Sequence, residues 1–297
     1  MSMLVISAIL TLAWVAGIVG WLTRRASRPS ELQAWARSYG LVLTPGNRPA
    51  VTYYVRLVIV TRVVGAVAAV VIGSAFDASL GLHTSAAPGF WAWLIGGWTF
   101  GAWWAERELR WPPGTGVASL VPRRTADYLP GRLRAAPYLA FGVVAALATC
   151  AAMVSQPGAV ERQQRGFAAP PSSAYLLAMV ATAGAVTALT NIAVWRSVSR
   201  RQPPLAADLL AADDAIRTSA AHQLAGGGTA VVLCLGSVLA GTLAWASTTP
   251  DRLSSLLVPG FFGLWLAALV TWRYYTYRAW RVRRQAPADT RALVVAT

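Results

Sequence analysis

Hydrophobic residues are concentrated in seven stretches, each long enough for a membrane-spanning helix, and polar segments separate them. A bilayer core about 30 Å thick requires an apolar helix of about 20 residues. The pattern therefore predicts an all-α, polytopic transmembrane helix bundle that forms a single integral membrane domain over residues 1–297. The predicted spans are residues 3–22, 57–76, 86–105, 137–155, 174–195, 224–246 and 253–272.

Charged residues follow the same alternation along the chain. The basic residues are all arginine, and 26 of them stand against 11 acidic residues, for a net charge of +15. Segments 23–56, 106–136, 196–223 and 273–297 hold 22 of these arginines and 8 of the acidic residues. Because cytoplasmic segments of membrane proteins carry the excess of arginine and lysine, this distribution predicts an outside N-terminus and an inside C-terminus.

Composition excludes two broad classes of protein. Hydrophobic residues make up 56% of the chain and charged residues only 12%, against about 25% in soluble domains, which excludes a soluble globule. The arginines follow the predicted topology and form no single basic face with stacking aromatic residues, which argues against nucleic-acid binding. We expect their partner to be a lipid bilayer with anionic headgroups, in a bacterial cytoplasmic membrane.

Two cytoplasmic segments predict short helices. In residues 30–40 the apolar side chains share one face, as in a helix that lies in the membrane interface. In residues 205–221 a similar stripe occurs, and Asp213 precedes Arg217 by four residues, an order that stabilises a helix. We expect this charged pair to lie on a solvated face of its helix.

Glycines mark two places inside the spans. Gly97 and Gly101 form a GxxxG pair, which predicts close packing of two helices. Three consecutive glycines, 226–228, open the sixth span. They predict either a loosely packed helix entrance or, as in some transporters, an unwound segment.

The six spans after the first suggest three units, each a cytoplasmic segment followed by a hairpin of two helices. The units would cover residues 41–110, 117–201 and 205–284. Stop-transfer signals at the ends of the spans would produce much of the same similarity without duplication. Both explanations stay open on the sequence alone.

Polar residues inside the predicted spans are the usual indicators of function, and they are few here. Arg62 could contact an anionic substrate or lipid headgroup, or extend its side chain to the membrane surface. Asn191 could line a pathway or form a hydrogen bond between helices. We expect no metal site shared by the two histidines, because His83 and His222 fall on opposite sides of the membrane.

Three functions remain as hypotheses, and the first is the leading one. It is a non-enzymatic membrane subunit of an export complex, in which Asp213, Asp214 and Arg217 dock a partner ATPase or a second membrane subunit, with no cofactor. The alternative is a self-contained transporter of small solutes or lipids that uses Arg62 and Asn191. The third is a lipid-modifying transferase whose paired aspartates, Asp213 and Asp214, hold magnesium.

Two short stretches carry a family resemblance. LVPRRTADYLP at residues 120–130, LAADDAIR at residues 210–217 and the alanine-rich, arginine-only composition resemble uncharacterised multi-pass membrane proteins of high-GC Gram-positive bacteria. The resemblance covers residues 106–228. That group has no assigned activity, so the resemblance implies no catalytic residue. It implies that four residues are recurring cytoplasmic features of a docking surface: Asp127, Tyr128, Asp213 and Asp214.

Overall fold

The computed structural model describes residues 17, 19–25, 28–79, 87–109, 123–153, 172–200, 206–246 and 252–277. All regular secondary structure in these ranges is helical, and residues 19–25 form one helical segment. Most of the first predicted span, 3–22, and the segment around His83 lie outside the described residues. The remaining helices are α1 (Pro29–Ser38), α2 (Arg48–Ser79), α3 (Ala87–Glu108), α4 (Thr125–Tyr128), α5 (Gly131–Met153), α6 (Ser173–Ser199), α7 (Ala207–Ala246) and α8 (Arg252–Tyr277).

Five of these helices, α2, α5, α6, α7 and α8, are long and apolar enough to cross a membrane. Over the described residues, this finding confirms an all-α fold with several helices suited to cross a membrane. Helix α3 coincides with the third predicted span, 86–105, but is not among the five. The total of seven spans, the orientation of the termini and the threefold repeat stay predictions.

Helix α7 is the axis of the bundle. In its most apolar part 78% of the residues are buried, against 11–28% in the other four membrane helices. It packs against α3, α5, α6 and α8, while α2 packs against α3. Its 40 residues extend about 60 Å, twice the thickness of a bilayer core. One end of α7 must therefore project beyond the membrane.

The structure joins two elements that the sequence separates. The predicted cytoplasmic helix 205–221 and the predicted span 224–246 are both parts of α7, and the three glycines between them neither unwind nor loosen it. A Cβ atom built at any of these glycines would overlap a neighbouring side chain. Those side chains come from three different helices: Tyr275 of α8, Thr99 of α3 and Thr190 of α6. The expectation of a loose helix entrance was wrong, because here the missing side chains let three helices approach α7.

The GxxxG pair packs closely against another helix, as predicted, and the structure identifies that helix as α2. A Cβ atom at Gly97 would overlap the backbone of Gly65, and one at Gly101 would overlap the backbone of Thr61. Such close backbone approach is possible only without side chains at these positions.

The predicted inside segments that are described come together at one end of the bundle. We call this region the polar layer: residues 29–56, 106–109, 123–128, 196–200 and 207–223. A hydrogen bond of 2.9 Å from Thr44 Oγ1 to Asp208 Oδ2 links the loop before α2 to the start of α7. This grouping agrees with the prediction that these segments share one side of the membrane.

Helix α1 belongs to the polar layer and does not present its apolar face to lipid. Leu32 and Ala36 are buried in one cluster with Val51 of α2 and Ala212 of α7. The sequence predicted that this face rests in the membrane interface. That expectation was wrong because the starts of α2 and α7 provide a protein surface for it. Gly40 ends the helix in the left-handed conformation, with φ of 69°, which glycine adopts without steric cost.

Candidate functional site

A buried ion pair lies at the centre of the polar layer. Asp213 and Arg217 are both 0% exposed, and Asp213 Oδ2 accepts a hydrogen bond of 2.8 Å from Arg217 Nε. Asp213 Oδ1 accepts a second bond, also 2.8 Å, from Nη2 of Arg200 at the end of α6. Both oxygens of one buried carboxylate therefore face guanidinium groups, the geometry in which hydrogen bonds assisted by charge are strongest.

Arg123 extends this pair to the edge of the layer. Its Nη1 lies 3.8 Å from Asp213 Oδ2, and its Nη2 lies 3.4 Å from Asp214 Oδ1. Tyr128 donates a hydrogen bond of 3.0 Å to the same oxygen of Asp214. The side chain of Asp214 is 23% exposed. We call Arg123, Arg200, Asp213, Asp214 and Arg217 the ion cluster.

Arg217 also caps the C-terminal end of α6. Its Nη1 lies 3.2, 3.1 and 2.7 Å from the carbonyl oxygens of Ser197, Val198 and Arg200. The last carbonyls of a helix have no partner within the helix and carry a partial negative charge. The guanidinium satisfies them and thereby ties α6 to α7.

These contacts change the interpretation of the predicted docking residues. The structure brings Asp213, Asp214 and Arg217 together, but the expected solvated face was wrong, because Asp213 and Arg217 are fully buried. Their role in docking stays a prediction. The sequence missed Arg123 and Arg200 as members of the site, because the positive-inside pattern already accounted for both.

A cavity of about 340 Å³ opens beside the ion cluster, between the ends of α3 and α6. We call it the arginine cavity. It is lined by Trp103, Glu106, Arg107, Arg196, Ser197, Ser199 and Arg200. Three of these seven side chains are arginines, so the cavity attracts anions.

Glu106 is the one acidic residue in the lining of the arginine cavity, and it lies just beyond the predicted span 86–105. It is only 3% exposed, and its backbone carbonyl accepts a hydrogen bond of 2.9 Å from Arg200 Nη1. Burial raises the pKa of the Glu106 carboxyl above its usual range, because desolvation outweighs both the hydrogen bond from the Ser197 side chain and the attraction of the nearby Arg200.

Arg62, a predicted pathway residue, is packed inside the protein. It is 9% exposed, and its guanidinium carbon lies 5.5 Å from the ring centroid of Trp98 on α3. This geometry is that of a cation–π contact. Arg62 does not line the arginine cavity or the cavity beside Asn191.

Asn191, the second predicted pathway residue, lines a cavity of about 270 Å³ between α5, α6 and α7. Its Nδ2 donates a hydrogen bond of 2.8 Å to the carbonyl oxygen of Thr187, one turn earlier in α6. This amide donor therefore bonds within its own helix. Neither of these two cavities is lined by both Arg62 and Asn191.

The described residues contain no group of three or more His, Cys, Asp or Glu side chains that could hold a metal ion. His222 is buried, and its Nδ1 lies 2.8 Å from the carbonyl oxygen of Thr218 in the preceding turn. Comparisons with protein-family models, curated proteins and solved structures found no match.

Proposed function

We propose that this protein is a non-enzymatic membrane subunit that works with a partner in a multi-component complex, in which the polar layer is the docking platform. One observation carries the proposal. Helix α7 is continuous from the ion cluster to the centre of the membrane bundle, and it is buried along most of this length. A force applied to the polar layer is therefore transmitted to the membrane helices.

The ion cluster supports this proposal in a different way from the one that the sequence suggested. Asp213 and Arg217 have no exposed surface through which to contact a partner. They connect α6, α7 and Arg123 and so keep the polar layer rigid. In this form of the proposal, their contribution to docking is indirect.

Two exposed apolar residues of the polar layer are better candidates for direct contact. Val42 is 77% exposed and Tyr53 is 54% exposed. Val42 lies in the loop before α2, and Tyr53 lies near the start of α2, four residues before the predicted span 57–76. A contiguous apolar patch outside the membrane is typical of a protein interaction surface, and we propose that Val42 and Tyr53 belong to one. The partner that we propose is a cytoplasmic protein, such as the ATPase of an export complex.

Photo-crosslinking in the native host tests this proposal. A photoreactive amino acid replaces Val42, and a matched control carries it at Leu139, which is 69% exposed on the membrane helix α5. We expect one discrete protein adduct from position 42, absent from position 139, whose second component mass spectrometry identifies. A second protein carries the photoreactive amino acid at position 53. Adding the substitution V42E to it should weaken the adduct formed from position 53. If positions 42 and 53 give no protein adduct and the chain purifies alone, the proposal is wrong.

The transporter hypothesis stays open because of the cavity beside Asn191. The residues that line it include the polar side chains of Thr125, Arg134 and Thr190. Flux of solutes or lipids through purified protein in liposomes, compared between wild type and Asn191→Leu, tests it. The transferase hypothesis has less support, since arginines occupy the carboxylate oxygens of Asp213 that would bind magnesium.

A further inference from the structure

The arginine cavity contains cations that the ion cluster does not use. Arg107 and Arg196 are exposed, and neither forms an ion pair with a described carboxylate. The guanidinium carbon of Arg107 lies 5.0 Å from the ring centroid of Trp103, which holds it at the rim of the cavity. Arg200, the third arginine, is fixed by its bonds to Glu106 and Asp213.

Glu106 and Ser197 belong to the same lining but are buried. Their residues are only 3% and 4% exposed, and Oε1 of Glu106 and Oγ of Ser197 have almost no accessible surface. A hydrogen bond from the Ser197 side chain is among the influences that lower the pKa of the Glu106 carboxyl, so these two side chains pair with each other. The surface that the cavity offers to a ligand therefore comes mainly from its arginines, Trp103 and Ser199.

Apolar surface continues from the cavity along the membrane helices. Phe100 on α3 is 54% exposed and contacts the ring of Trp103, with centroids 5.5 Å apart. On α6, Ile192 is 45% exposed and precedes Arg196 by one turn. An acyl chain of a lipid whose headgroup occupies the cavity would lie along these side chains, which a free soluble anion would leave uncovered.

We propose that the arginine cavity binds the headgroup of an anionic phospholipid. Arg107, Arg196 and Arg200 contact the phosphate, because guanidinium groups bind phosphate oxygens through pairs of charge-assisted hydrogen bonds. Basic pockets between membrane helices on the cytoplasmic side are a known type of lipid site. This inference does not depend on the proposed docking function.

Thermal denaturation of the purified protein in neutral detergent tests the inference. Three probes are added separately: phosphatidylglycerol, phosphatidylcholine and inorganic phosphate. A ligand that binds only the folded protein raises the melting temperature as its concentration rises. We expect phosphatidylglycerol to raise it in a saturable manner and phosphatidylcholine to leave it unchanged.

Two double variants separate the cavity from general attraction between charges. R107Q/R196Q removes the two arginines that lie outside the ion cluster. R37Q/R48Q removes two exposed arginines of the polar layer that do not line the cavity. Both variants lose the same net charge. We expect R107Q/R196Q to weaken the apparent affinity for phosphatidylglycerol at least tenfold, and R37Q/R48Q to retain the wild-type affinity.

Three results would overturn the proposal. An equal loss of affinity in the two double variants would show that the attraction is non-specific. Equal protection by phosphatidylglycerol and phosphatidylcholine would exclude recognition of the headgroup. Protection by inorganic phosphate, with no greater effect of phosphatidylglycerol, would assign the cavity to a soluble anion instead of a lipid.

Discussion

Replacing Asp213 by asparagine tests whether the ion cluster holds the polar layer together. The substitution preserves the size of the side chain and removes one buried negative charge. Arg217, which is 0% exposed, then has no direct carboxylate partner, and Arg200 loses one of its two bonds. The buried positive charge of Arg217 becomes uncompensated.

The magnitude follows from these contacts. Breaking a buried ion pair by removing one partner costs about 3–5 kcal/mol. The lower end applies here, because the amide oxygen still accepts one hydrogen bond and Arg217 keeps its three carbonyl acceptors on α6. A loss of about 3 kcal/mol corresponds to a melting temperature lower by roughly 6–12 °C for a chain of this size.

The cysteines provide the assay. Cys234 is buried and Cys150 is exposed. In a Cys150→Ala background, a thiol-reactive fluorescent dye labels Cys234 only when the protein unfolds, so its fluorescence during heating reports the melting temperature in detergent. The same background carries Asp213→Asn and the control variant below.

Asp214→Asn is the matched control for Asp213→Asn. Asp214 is adjacent in the chain, carries the same charge and belongs to the same cluster, but its side chain is 23% exposed and its ion pair with Arg123 measures 3.4 Å. Partly exposed pairs contribute about 1 kcal/mol or less. Equal shifts in the two variants would refute the reasoning, because burial would then not determine the cost.

Two further predictions concern stability, and the first uses the same assay. Gly97→Ala should destabilise the protein by about 1–3 kcal/mol, since its Cβ would overlap the backbone of Gly65. The control Gly142→Ala, whose Cβ has no atom within 4 Å, should be neutral or slightly stabilising. Equal effects of the two substitutions would contradict the packing argument. The second prediction concerns Glu106, whose pKa burial raises in the folded state above the unfolded value of about 4.3. The protonated carboxyl therefore stabilises the folded state fully below the unfolded pKa. This contribution is lost as the pH rises through the folded pKa. Unfolding is followed by tryptophan fluorescence, because thiol labelling is slow at acid pH. The free energy of unfolding of wild type should fall relative to that of Glu106→Gln over this window, and a constant difference would exclude a raised pKa.

The membrane helices could be predicted from the sequence because each is long, apolar and uninterrupted. The predicted spans 57–76, 174–195 and 253–272 fall within α2, α6 and α8, and 137–155 overlaps α5. Close helix packing at Gly97 and Gly101 was also predictable, since a GxxxG pair acts through backbone geometry, but its partner α2 was not. These features depend on residues near one another in the chain.

The ion cluster could not be predicted because its members are far apart in the chain. Arg123 and Asp213 are separated by 90 positions, and nothing local to either residue identifies the other. The pair Asp213–Arg217 was visible, but the same spacing occurs on exposed helix surfaces. Many neighbours of this pair on α7 are alanines, such as Ala212 and Ala215, and small side chains do not mark a face as buried.

The arginines that indicate the topology differ from one another in their structural roles. Only the contacts of each arginine show which role it has. Arg196 and Arg200 stand four residues apart in one predicted inside segment and count equally toward the positive-inside pattern. Arg200 binds Asp213 and the carbonyl oxygen of Glu106, whereas Arg196 is exposed at the arginine cavity. A substitution at position 200 therefore acts on the fold, and one at position 196 acts on whatever the cavity binds. For this reason the lipid test removes Arg196 and leaves Arg200 in place.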